Sequence, residues 1–159
     1  MTDPVIPLKP MGREEIHKLE YSLLISSLIE ILTDPKFLEQ LKDPKDRLTW
    51  IDSIATAAAA LAREKAGMTT SEIADDIGRT EATIKKHLKG ETEAGKIVLE
   101  AYKKLEKGEI DATLASILGL KKAEPIKEKL ADLKGSLLSL KESIDQLIKK
   151  LEEIEKSLE

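Results

Sequence analysis

The chain has 159 residues, of which 41% are hydrophobic and 35% charged, with a formal net charge of -4; this allows one domain with a sizeable core plus a helical extension and argues against two large domains. It has no cysteine, which excludes disulfides, thiolate zinc sites and cysteine nucleophiles and fits a cytoplasmic location. Leu, Ile, Ala, Lys and Glu predominate, Asn is absent and Gln occurs twice, so the expected fold is all-α, with the amide-poor bias associated with proteins that work hot.

The first ten residues, MTDPVIPLKP, hold three prolines and lack the apolar core of a signal peptide. A helix is expected from about Arg13 to Leu32, burying Ile16, Leu19, Leu23, Leu24, Leu28, Ile31 and Leu32. Its most apolar run, YSLLISSLIEIL, is too short to span a bilayer and contains Glu30, so no membrane segment is expected. Thr33-Asp34-Pro35 stops that helix, a short one follows around Phe37 to Leu41, and Asp43-Pro44 marks the next turn. Phe37 and Trp50 are expected to be core anchors. Residues 1–45 are thus an N-terminal arm with apolar helices.

Residues 46–120 are expected to be a second segment. A helix from about Asp46 to Lys65 places Leu48, Ile51, Ile54, Ala55, Ala58, Leu61 and Ala62 on one face, with alanines that favour close helix contact. After Gly67, residues 69–88 form two short helices separated by Gly78. Thr69 and Glu72 fit a capping box, Thr80 is placed to cap the second helix, and Ile84 and Leu88 anchor it. Helices over 93–107, capped by Thr92, and over about 111–118 complete the segment, each closed by a glycine.

The pair of helices around Gly78 has the layout of a helix-turn-helix, whose second helix enters the major groove. Arg79, Thr80, Glu81, Ala82, Thr83, Lys85, Lys86, His87 and Lys89 are the candidate DNA-binding residues. Ala82 and Thr83 suit a thymine methyl or base edge, the cations suit phosphate or guanine, and Glu81 suits cytosine while repelling phosphate. Residues 68–108 carry eight basic and eight acidic side chains, so the cationic character is confined to one helix.

GETEAGKI at 90–97 matches phosphate-loop spacing through Gly90, Gly95 and Lys96, but Ile97 stands where Ser or Thr is required and no strand is expected before it. His17 and His87 are far apart, are expected at the surface, and lack carboxylates at metal-site spacing. Asp75 and Asp76, on adjacent helical positions, are expected to face solvent. No metal, cofactor or enzymatic constellation is expected.

KKAEP at 121–125 reads as a boundary. Beyond it Ile126, Leu130, Leu133, Leu137, Leu140, Ile144, Leu147, Leu151, Ile154 and Leu158 alternate spacings of four and three, a heptad repeat that needs a partner along its seam. Residues 121–159 are therefore expected to be a coiled-coil or dimerisation helix, giving a homodimer able to place two reading helices on half-sites about 34 Å apart. Leu138 and Ile148 widen the stripe, so packing in a bundle or onto its own domain stays open.

The EIA at 72–74, GRTEATIKKHLKGET at 78–92 and the alanine-rich helix before them resemble the small archaeal regulatory domain of proteins encoded beside KaiC-like ATPases, itself similar to helix-turn-helix regulators. The resemblance covers about 40–120 and implies a regulatory protein of an archaeal cell, with recognition-helix roles at Thr80, Glu81, Ala82, Thr83, Lys85 and Lys86. Two readings follow: a dimeric transcriptional regulator that binds double-stranded DNA, and an adaptor or regulatory partner of a KaiC-like ATPase.

Overall fold

A computed structural model of the chain describes residues 6–120 and 126–158. Its regular elements are helices throughout, with no strand among the described residues: α1 (Arg13–Thr33), α2 (Pro35–Gln40), α3 (Pro44–Lys65), α4 (Thr70–Ile77), α5 (Glu81–Leu88), α6 (Glu93–Glu106), α7 (Ala112–Ile117) and α8 (Ile126–Leu158). They divide into two compact units, residues 1–121 and 122–159.

Asp34-Pro35 both ends α1 and starts α2, and Asp43-Pro44 starts α3. Asp34 accepts from the Lys36 amide at 2.9 Å and Asp43 from the Lys45 amide at 2.8 Å, with proline in the first turn, where its missing N–H costs nothing. Hence α2 begins two residues before the expected Phe37, and α3 begins at Pro44.

The main core joins α1, α3, α6 and α7 around Leu19, Leu23, Ile54, Leu61, Val98 and Leu114. The helices expected to form a separate N-terminal segment share this core with α3 and α6. Residues Ala57 through Ala62 of α3 are all buried, so this helix is enclosed on every side over nearly two turns. Alanine there lets neighbours approach from all directions without opening voids. On one side of α3 a smaller core of Ala60, Ile73, Ala74 and Ile84 seats α4 and α5.

Three residues expected inside are outside. Leu48 is 73% exposed, and Ile51 and Leu32 are also exposed. The covering element, α2, is only six residues long; its Phe37 meets Trp50 edge-on with ring centroids 5.1 Å apart, and Leu48 and Ile51 remain uncovered beyond that contact.

In the second unit α8 is a continuous helix of 33 residues, on the order of 50 Å long. Its seam side chains from Leu130 to Leu158 are exposed. The Ile126 side chain and the expected boundary at 121–125 lie outside the described residues.

Candidate nucleic-acid interface

The site is built from local signals outward. Thr69 accepts from the Glu72 amide while the Glu72 carboxylate accepts from the Thr69 amide, which closes the reciprocal box that starts α4. Gly78 ends α4 in the left-handed region, φ 66°, where a side chain would be strained. Two residues later the Thr80 hydroxyl accepts from the Thr83 amide at 3.2 Å and starts α5. The connection between the two eight-residue helices is therefore Gly78, Arg79 and Thr80.

Within α5 the helical period separates two faces. Ile84 is fully buried, with His87 and Leu88 beside it against α3 and α6. Glu81, Ala82, Lys85, Lys86 and Lys89 are exposed and fall at successive one- and three-residue steps, the spacing of a single outward stripe. Lys85 pairs with Glu81 at 3.2 Å one turn earlier. Among the described residues Lys86 and Lys89 have no carboxylate partner.

The other expected contact residues are committed elsewhere. Arg79 pairs with Asp52 of α3 at 2.6 Å. The Thr80 and Thr83 hydroxyls lie 2.9 Å apart at the cap. His87, expected at the surface and among the DNA contacts, is 7% exposed and belongs to the interior. Its Nδ1 shares a hydrogen bond of 2.8 Å with the Thr92 hydroxyl, which also accepts from the Gly95 amide as the cap of α6. Burial pushes the His87 pKa down, opposed by the nearby Asp52 carboxylate.

Gly95 accounts for the misleading phosphate-loop spacing. A Cβ on it would collide with the backbone carbonyl of His87 and lie 2.9 Å from the His87 Cα, so glycine is what allows α5 and α6 to meet. Gly90, φ 69°, closes the turn after α5.

A charged cluster missed in the sequence ties this unit to the core. Arg63, 6% exposed, donates from Nε to Asp76 at 2.5 Å, from Nη1 to Glu20 at 2.7 Å and from Nη1 to the Ala59 carbonyl at 3.0 Å. Arg13 adds a second contact to Asp76 at 3.1 Å. Burial alone disfavours the Arg63 charge, but the two carboxylates more than offset it and its pKa is raised. Asp76, expected to be merely solvent-facing, has its pKa lowered to about 2 by hydrogen bonds from Arg63 and then Arg13. Arg63 and Ala59 lie off the apolar face expected for this helix, so no spacing in the sequence pointed to the burial of Arg63.

No group of three His, Cys, Asp or Glu side chains able to hold a metal occurs among the described residues. No described helix is long and apolar enough to cross a membrane.

The chain is similar to an archaeal protein. It is 54% identical over 107 residues to the uncharacterized protein MJ1053 of Methanocaldococcus jannaschii, a match covering 67% of this chain and 63% of that relative. The match therefore spans less than two thirds of the relative's length. No family model and no solved structure matches.

Proposed function

We propose that the protein is a dimeric, DNA-binding transcriptional regulator in which α4 and α5 act as a helix-turn-helix and α8 pairs two copies. The observation that carries this reading is the outward stripe of α5. It is rooted by Ile84, begins after a three-residue glycine turn, and leaves Ala82, Lys86 and Lys89 open to a duplex. Small side chains at the start of such a helix allow close approach to base edges, while lysines further along meet phosphates. The resemblance to regulatory domains encoded beside KaiC-like ATPases supports a regulatory role.

A second reading is favoured by a separate feature. Leu28, Leu32, Leu41, Trp50 and Ile51, with Arg47 the one charged residue among the described lining residues, form a largely apolar groove of about 230 Å³ between α1, α2 and α3, a surface that suits a protein helix. It fits an adaptor that binds a KaiC-like ATPase.

Selection of bound duplexes from a random pool at near-physiological salt separates the two. Enrichment of a short motif is expected for the regulator. Recovery of no sequence, together with a stable complex with the ATPase in gel filtration, would replace the first reading by the second.

A further inference from the structure

We propose that α8 pairs with α8 of a second copy in antiparallel orientation, with Ser143 at the twofold axis. This deepens, and rests on, the dimeric reading above.

Three features of the helix favour that orientation. The first is the distribution of its branched residues. Parallel two-stranded coils prefer β-branched residues at the first core position of each heptad and leucine at the second. Here the first core positions are Leu130, Leu137, Ile144, Leu151 and Leu158, four of them without the preferred branching, while the branched Ile154 occupies a second one. In an antiparallel pair each layer combines one position of each kind. With the two helices fully overlapped, Ile154 meets Leu130 and Ile144 meets Leu140 of the other copy, so isoleucine packs on leucine.

The second feature is the flanking charge. A parallel, in-register pair sets Lys129 against Lys134 of the other copy on both sides of the seam, which offsets the attraction of Lys150 for Glu155. The antiparallel pair sets Lys129 beside Ser157 and Lys150 beside Ser136. One like-charge contact is left, Lys141 with its own copy at the axis, where the ammonium groups remain in water and are screened. The two helix dipoles also oppose, each positive end near a negative one.

The third feature is Ile148, which lies beside the seam and is exposed. A parallel pair leaves it against Ser143. The antiparallel pair lays the aliphatic stem of Lys134 across it, with the ammonium reaching solvent.

At 1.5 Å per residue the two Ile126 positions of the antiparallel pair lie about 48 Å apart, at opposite ends of the rod.

The absence of cysteine makes the test clean. Ser143→Cys and Ser157→Cys, both at exposed positions of α8, are spin-labelled separately in the full chain, and the intermolecular distance is measured by pulsed dipolar spectroscopy. The antiparallel pair predicts a short distance at 143 and one of about 45 Å at 157, from the helical rise. Similar short distances at both positions overturn the orientation and leave the dimer standing. No dipolar coupling at either position, with a monomer mass in sedimentation, removes the dimeric reading and the orientation together.

Discussion

Arg63 of α3 and Asp76 of α4 are joined at 2.5 Å, and the same guanidinium reaches Glu20 of α1 at 2.7 Å. Three helices distant in sequence thereby share one buried cation, and α4 is held in the position from which it presents α5. Removing Arg63 leaves Glu20 without its guanidinium partner and Asp76 with Arg13 alone. Arg63→Ala is expected to cost about 2 kcal/mol, less than the roughly 3–5 kcal/mol of a fully buried pair because both carboxylates keep some solvent. Chemical denaturation measures it; an unchanged midpoint would remove the cluster from the account.

The same cluster sets an acid limb. The folded pKa of Asp76 is depressed, to about 2 from 3.8, so its contribution is present above pH 4 and is lost as pH falls from about 4 to 2. Asp76→Asn should lower stability at neutral pH and flatten the pH dependence of stability in that window. His87 acts higher: its folded pKa lies below 6.5, so the unfolded chain takes up the proton first, and stability falls as pH drops below 6.5. His87→Gln should abolish that component, read from unfolding curves between pH 7.5 and the acid limb.

Two glycines provide opposite expectations. Gly95→Ala forces the α5 backbone away from α6 and should destabilise by about 1–3 kcal/mol despite the better helix propensity of alanine. Gly135, in the interior of α8 with nothing within 4 Å of an added Cβ, should accept alanine with a gain of up to about 1 kcal/mol in helix stability. Thermal unfolding followed by circular dichroism compares them. A neutral Gly95→Ala would contradict the close approach at His87.

Ile84 separates the foundation of α5 from its outer face. Ile84→Ala opens a cavity in the small core of Ala60, Ile73 and Ala74 and should cost about 2–4 kcal/mol while leaving the main core intact. Amide exchange is expected to rise in α4 and α5 before α1 and α6. Uniform loss of protection across the first unit would show that the two cores unfold as one.

The parts of this arrangement that were legible in the sequence are those set by neighbours along the chain. Thr69 with Glu72, Gly78, Thr80 and Thr92 each act within three or four residues, and the structure has the four short-range caps where their residue types imply them. Contacts between distant residues were not legible: Arg63 with Asp76 is a pairing across 13 positions and Arg79 with Asp52 across 27. His87 was misplaced because its residue type suggested a surface, while its position, three after Ile84, puts it on the buried face. Leu32, Leu48 and Ile51 were misplaced for the converse reason. Periodicity shows which side of a helix is apolar, whereas coverage depends on the length of a neighbour, here the six residues of α2.

The outer face of α5 makes its own prediction. Lys86 lacks an ion-pair partner among the described residues and Lys85 shares Glu81, so Lys86→Ala should weaken duplex binding more than Lys85→Ala. Glu81→Gln removes a charge that repels phosphate and should raise affinity while reducing discrimination among sequences. Competition between duplexes of different sequence measures both effects. Equal losses for the two lysine variants would mean that the pairing with Glu81 is broken on binding.

The claim on which the functional reading rests is that the exposed stripe of α5 engages the phosphates of a duplex. Fluorescence anisotropy of a labelled duplex, titrated with the wild-type chain and with Lys86→Ala over a range of salt concentrations, tests it most directly. The prediction is an affinity that falls linearly on logarithmic axes as salt rises, with a slope reduced by about 1 in the variant. Binding that is absent at low salt, or a slope that the substitution leaves unchanged, would contradict it.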